Sequence, residues 1–260
     1  MSEQPVVAFE TEGSLAILTM NHRPHNLIGP DLMSGILSAL ESAKSAGCRA
    51  VLLKSGLRHF SAGADLALFE AAIEGQSSKS DLTPALFLEK LETFPLPIVA
   101  AVHGVCVGGG FELALACDFI IAAKTSKIGS VEATIGVNPL MGAVQRQTQR
   151  AGALRAKEMA MLARRYDAET LERWNLINRV VDDEKFEDAA LAIALEIAGG
   201  PTLAHKITKE ICRIAVNEGV KAADDVMSEK QLPLWSSEDI KIGLESLQSN
   251  GPGLAKFKGC

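Results

Sequence analysis

The chain has 260 residues, 47% hydrophobic, 22% charged and 5% aromatic, with 26 Lys and Arg against 32 Asp and Glu for a formal net charge of −6. That is ordinary globular composition, and it excludes a disordered, collagen-like or mucin-like chain. With one Tyr, two Trp and nine Phe, an acidic chain also lacks the basic face and stacking aromatics of a general nucleic-acid binder.

The pattern begins as a hairpin, with VVAFE and SLAILTM flanking Thr11-Glu12-Gly13. Pro30 suits a first helical position, and Leu32, Ile36, Leu37 and Leu40 keep helical spacing up to Gly47. RAVLLK (49–54) reads as a short apolar strand, SGLRHFSAG as a loop, and 64–75 as a helix ending at Gly75. Residues 75–81, GQSSKSD, read as a mobile surface loop. A helix over 84–93 leads to a strand at 98–102, a helix at 110–117 and a strand at 118–123. Beyond about residue 140, helices are predicted over 142–151, 153–164, 168–174, 184–198, 201–217, 219–230 and 236–249, interrupted by NRVVD (178–182). Strands mixed with helices, then helices alone, indicate an α/β core over 1–198 and a helical region over 199–260, with Gly199-Gly200-Pro201 as the linker.

The apolar run 98–123 is long enough to suggest a membrane span. It carries His103, a triple glycine, Glu112 and Asp118, and an Asp near a span centre costs about 2.5–3.5 kcal/mol. It therefore reads as strand, glycine turn, helix and second strand. The N-terminus has neither the basic nor the apolar region of a signal peptide. Five cysteines with no C-x-x-C pair fit free thiols, and a reducing cytoplasmic compartment is expected.

Gly108-Gly109-Gly110 follows an apolar strand and opens an apolar helix. Such a turn leaves the first helical N–H groups free at the positive helix end, suited to an anion or a developing oxyanion. Close helix–strand packing explains the glycines equally well. The stretch lacks the Lys-Ser/Thr of a P-loop and the spacing of a dinucleotide fingerprint. A second small-residue loop, His59 to Leu66, also joins strand to helix; alone it reads as a helix entry capped by Ser61 or Asp65. Glu112 lies just inside the glycine-started helix, and Glu132 lies in the loop Gly129-Ser130-Val131-Glu132-Ala133. Taken singly, each reads as an unremarkable carboxylate, Glu132 as a solvated one. Brought together and buried, they would split into an acid and a base. The five histidines lack metal-ligand spacing, so no metal site is expected. Arg146 and Arg150 read as a solvated helix face.

Together, HFSAGADL (59–66), PLPIVAAVHGVCVGGGFELALACDFIIAA (95–123), the 130–146 segment ending GAVQR and the tail from SSEDIKIGLESL to FKG resemble the enoyl-CoA hydratase/isomerase (crotonase) superfamily over nearly the whole chain. The resemblance implies an α/β fold: a crotonase-like spiral of ββα turns with a C-terminal helical trimerisation region, assembled as a homotrimer or a dimer of trimers. It implies an acyl-CoA thioester as substrate and no cofactor beyond the coenzyme A that the substrate carries. The amides of Ala64 and Gly109 match the family's oxyanion hole. Glu112 and Glu132 match the two glutamates of its hydratases, Glu112 orienting and deprotonating the water and Glu132 protonating C2. Ala62, Asp65, Leu66, Gly108, Leu140 and Met141 fall at substrate-binding positions. Both acids being Glu favours hydration over double-bond isomerisation, which remains the alternative, with a degenerate acyl-CoA-binding protein as a third reading. The family's Lys after the oxyanion-loop Asp-Leu is missing, since Ala67-Leu68 follows here, and Arg23, Arg58, Lys256 or Lys258 would have to meet the CoA phosphates. The family's P-G-A-G-G run is replaced by Pro139-Leu140-Met141-Gly142-Ala143, whose bulk reshapes the acyl pocket.

Overall fold

The computed structural model describes residues 5–74 and 82–260, so the expected loop at 75–81 and the helix end at Gly75 lie outside the described residues. The hairpin forms from β1 (Val7–Glu12) and β2 (Leu15–Met20). Its turn is tighter than expected: pairing continues to Glu12 opposite Leu15, and Gly13, at φ 58°, makes the reversal that its missing Cβ permits. Then follow α1 (Pro30–Ser45), β3 (Ala50–Ser55), α2 (Leu66–Ile73) and α3 (Pro84–Glu92). Helix α2 starts two residues later than the pattern suggests, because Ala64 bridges Ile28 as a strand residue and the Asp65 N–H donates to the Ile28 carbonyl.

Next come β4 (Ile98–Val102), β5 (Val105–Val107), α4 (Gly109–Leu115), β6 (Phe119–Ala123), β7 (Lys127–Gly129) and a 3-10 turn at Glu132–Ile135. Helix α5 (Ala143–Leu162) joins the two helices expected at 142–151 and 153–164, and its backbone breaks between them at Gly152, φ 81°. The remaining elements are β8 (Tyr166–Asp167), α6 (Ala168–Arg173), β9 (Arg179–Val181), α7 (Phe186–Gly199), α8 (Thr202–Glu218), α9 (Val220–Gln231) and α10 (Glu238–Asn250). Strands β5, β7 and β8 went unread in the sequence; at two or three residues they are too short to display a period.

Six strands form one sheet in the order β1-β2-β3-β4-β6-β9, parallel except for the β1–β2 pair, while β5, β7 and β8 form a second. Successive turns of the chain repeat one path. β4 lies in the large sheet, β5 in the small one, and α4 follows; β6, β7 and the 3-10 turn do the same. The segment after β3 joins in through a bridge of Ser61 to Cys106. This is a spiral of ββα turns, and it stacks the ends of consecutive turns side by side.

The central strands are buried on both faces, as parallel strands covered by helices must be. Leu18, Leu53, Ala100 and Ala122 face α1 and α4. Their neighbours Leu52, Val99 and Ile121 face Phe186, Ala190 and Ala194 of α7. Helices α8, α9 and α10 follow the last strand. Lys209 of α8 ties them to the core, donating to Asp118 Oδ2 at 2.7 Å and to the Leu96 carbonyl at 3.1 Å. Among the described residues, no helix is long and apolar enough to cross a membrane.

Candidate active site

The spiral brings three loop regions to one cavity of about 400 Å³. The first contributes Ala62, Gly63, Ala64 and Leu66, the second Gly108, Gly109 and Glu112, and the third Val131, Glu132, Thr134, Ile135, Leu140 and Met141. Leu68, Phe69 and Pro84 complete the wall. Nine of the ten site positions named from the sequence line this cavity, and only Asp65 is absent from the lining. Its Oδ1 accepts from the Ala67 N–H at 3.0 Å, so it caps the start of α2.

The first loop is held by a polar network beneath it. Ser61 Oγ donates to the Asn26 carbonyl at 2.6 Å, and the Asn26 amide nitrogen donates to Ser55 Oγ and to the Phe60 carbonyl. Gly63 turns at φ 114°, a conformation L side chains rarely adopt. The Ile28 N–H donates to the Gly63 carbonyl and the Asp65 N–H to the Ile28 carbonyl, which turns the intervening Ala64 N–H to the opposite side. Gly109 is the first residue of α4, where an N–H has no intrahelical acceptor. Among the described residues, neither the Ala64 nor the Gly109 N–H is recorded with a backbone or side-chain acceptor. The Ala64 nitrogen lies 3.4 Å from where a Cβ on Gly109 would sit. The two loops, 45 positions apart in sequence, therefore present neighbouring free amides to one cavity.

The two glutamates differ sharply. Glu112 is 2% exposed, and its Oε1 accepts from the Met141 N–H at 2.8 Å and the Ala143 N–H at 3.0 Å. Burial raises its pKa, and the two amides and the Arg146 charge oppose that rise. Glu132 is 7% exposed, and neither carboxyl oxygen has a hydrogen-bond partner among the described residues. Burial, assisted by repulsion from Glu112, pushes its pKa up to about 7. The solvated-loop reading of Glu132 is thus wrong: the 3-10 turn folds it inward, with Oε1 3.6 Å from where a Cβ on Gly108 would sit. Position 108 itself sits at φ 54°, a conformation that favours glycine.

Helix α5 supports both acids. Gln147 Nε2 donates to Ser130 Oγ at 2.7 Å, next to the Glu132 turn. Arg146 was expected on a solvated face, yet its side chain is only 16% exposed and forms a forked pair with Glu92. Tertiary contact with α3 supplies the partner, which helical periodicity cannot show. Arg150 remains outward, though its guanidinium donates to the Leu115 carbonyl.

A family model described as enoyl-CoA hydratase/isomerase matches residues 10–251. The chain belongs to the enoyl-CoA hydratase/isomerase family. It is 34% identical over 244 residues to a probable enoyl-CoA hydratase from Rhizobium meliloti, covering 90% of this chain and 91% of that one. It is also 39% identical over 178 residues to a carnitinyl-CoA dehydratase from Citrobacter koseri, covering 66% and 67%. Among solved structures it resembles a probable enoyl-CoA hydratase/isomerase from Mycobacterium abscessus, with a TM-score of 0.88, 28% identity and coverage of 99% and 100%. The fold is the crotonase-like α/β spiral with a C-terminal helical region.

Several wall residues escaped sequence reading. Leu68, Phe69, Pro84, Thr134 and Ile135 carry no chemical signature, and only their placement around the cavity singles them out. Arg146 and Glu92 were missed as a pair for the same reason.

Proposed function

We propose that this enoyl-CoA hydratase/isomerase family member adds water across the 2,3-double bond of an enoyl-CoA thioester carrying an apolar acyl group. The observation that carries the reading is the convergence, on one cavity, of two free amides and two buried carboxylates in unequal environments. In this reading the Ala64 and Gly109 N–H groups hold the thioester oxygen, each contributing about 2.7–4 kcal/mol as charge develops there. Glu112, its Oε1 anchored by two amides, takes a proton from water as the water oxygen bonds to C3. Glu132, poised near neutrality, gives its proton to C2 of the resulting enolate. Glu112 gains one proton and Glu132 loses one, and exchange with solvent restores both. A positioned acid and base of this kind contribute about 10²–10⁴-fold. Coenzyme A enters as part of the substrate, and the reading needs no other cofactor.

The surrounding wall supports an apolar acyl group, since Leu66, Ile135, Leu140 and Met141 meet it. A second reading, dehydration of a 3-hydroxyacyl-CoA, is favoured by the similarity to a carnitinyl-CoA dehydratase. It uses the same groups in reverse. A trimethylammonium substrate calls for aromatic faces, and among the described lining residues Phe69 is the one aromatic. Exposed Leu232, Trp235, Leu244 and Leu247 support assembly through the C-terminal helices as a homotrimer or a dimer of trimers.

The test follows loss of the enoyl thioester absorbance across short, long and aromatic acyl-CoAs, with 3-enoyl-CoA and carnitinyl-CoA offered in parallel. Hydration of apolar 2-enoyl thioesters, lost in Glu112→Gln and Glu132→Gln while CoA-ester binding persists, is the expected result. Wild-type turnover in both variants would refute the assignment.

A further inference from the structure

We propose that Arg146, locked by Glu92, is a positioning residue that sets the geometry and ionisation of Glu112 without touching the substrate. This rests on the hydratase reading for its functional meaning, but its structural content does not.

The connection is continuous. Arg146 presents Nε to Glu92 Oε1 at 2.7 Å and Nη2 to Glu92 Oε2 at 2.6 Å, a planar fork against a carboxylate. Its third nitrogen, Nη1, donates to the Gly142 carbonyl at 3.1 Å. Gly142 lies between Met141 and Ala143, whose N–H groups both bond Glu112 Oε1. One guanidinium therefore grips the middle of the three-residue segment whose two outer residues grip the carboxylate. Gly142 sits at φ 109°, a Cβ there would collide with the Arg146 guanidinium, and its carbonyl also accepts from the Arg146 backbone N–H at 3.3 Å.

The anchor is independent of the site. Glu92 is the last residue of α3, so the clasp joins that helix to the loop before α5. The neighbouring Arg150 already uses its guanidinium on the Leu115 carbonyl at the end of α4, and Lys209 is paired with Asp118. Neither is free to replace Arg146. Three charged groups from three elements bear on Glu112 or its clasp: Glu132 from the 3-10 turn, Arg146 from α5, and Glu92 from α3 behind it. Removing Arg146 both frees the two amides to drift and deletes the one cation among them. Both changes favour the protonated form of Glu112. A shift of about 1 Å in a reacting group costs on the order of 10²-fold in rate.

The test uses Arg146→Met, Arg146→Lys, Glu92→Gln and the double variant Glu92→Gln/Arg146→Met in the full chain. Arg146→Met is expected to lower kcat about 10–100-fold with KM within about twofold. Arg146→Lys keeps the charge but loses the fork; it should lower kcat while leaving the Glu112 titration near that of the parent. Glu92→Gln should lose less, since Arg146 keeps the Gly142 carbonyl. The double variant should be no worse than Arg146→Met, as expected of two residues acting as one unit. The Glu112 carboxyl is followed directly by ¹³C NMR in protein with labelled Glu, its signal assigned by its absence in Glu112→Gln. Its midpoint should rise in Arg146→Met. Melting temperatures identify any variant that merely fails to fold, in which case Arg146→Lys and Glu92→Gln decide. An unchanged Glu112 titration in folded Arg146→Met, or additive losses in the double variant, would overturn the proposal. If the parent hydrates no enoyl thioester, the hydratase reading fails, while the titration still decides whether Arg146 governs Glu112.

Discussion

The two sides of the cavity hold the same functional group in opposite conditions. On the α4 side, Glu112 is clamped by two amides and backed by a guanidinium. On the 3-10 side, Glu132 is buried among Gly108, Val131 and other small or apolar neighbours with neither oxygen bonded. The clamp fixes an orientation and favours the carboxylate; the apolar niche favours the acid. In the proposed hydration, this difference of environment sets two chemically identical side chains up for opposite halves of a proton transfer.

The largest expected effect comes from removing either member. Glu112→Gln and Glu132→Gln should each lower hydration by about 10²–10⁴-fold, measured as kcat for a crotonyl-type thioester. A Gln at 112 can still accept the Met141 and Ala143 N–H groups, so Glu112→Gln should leave the loop in place and lose the base alone. The next effect concerns the amides that both acids serve. A Cβ on Gly109 would lie 3.3 Å from Ile28 Cγ1 and 3.4 Å from the Ala64 nitrogen. Gly109→Ala should therefore crowd the shared oxygen site and lower kcat by about 10²–10³ with smaller loss of ground-state binding, separable by steady-state kinetics against a CoA-ester binding assay.

Stability offers a third comparison of the two sides. Glu132 has its folded pKa raised to about 7 from 4.5. Between those values the folded state binds more protons than the unfolded one, so this group's contribution to stability falls as pH rises through the window. Glu132→Gln removes that penalty and should stabilise the fold above pH 7 by on the order of 1–3 kcal/mol, with little gain below pH 4.5. Urea unfolding of both proteins across pH checks it. A comparable gap persisting at low pH would mean that the carboxylate is not the source. A packing test follows at Gly110. A Cβ there would lie 2.5 Å from Ser61 Cβ and 3.0 Å from its carbonyl oxygen, so Gly110→Ala should cost about 1–3 kcal/mol by pushing α4 off the loop that carries Ala64. The smallest effect is expected at Leu140, more than half exposed at the cavity mouth. Leu140→Gly should widen acyl preference by a few-fold in relative kcat/KM, at the low end of what a few methylenes are worth in a pocket.

Much of the fold was legible in the chain itself. The strands at 50–55, 98–102 and 119–123 are continuous apolar runs long enough to be read, and α1 and α7 to α10 carry clear helical spacing. Gly152 divides α5 where two helices had been expected. The short strands of the second sheet escaped because pairing, rather than pattern, creates them. At the site, motif resemblance pointed to both glutamates and both amides, and the cavity holds all four. Asp65, which the resemblance placed at a substrate position, lies outside the lining, and its Oδ1 accepts from the Ala67 N–H, the helix-entry cap that the loop alone also suggested.

What the sequence determined by itself was the family pattern: small residues where backbones must come close, two acids at a fixed interval, and apolar runs long enough to be buried on both faces. These are local properties, and covalent order is enough to state them. Only the tertiary structure decided that Glu132 lies inside, that Ala64 and Gly109 meet at one cavity, and that Arg146 reaches Glu92. Burial, the meeting of loops and ion pairing depend on which distant segments become neighbours, and no single stretch of the chain contains that information.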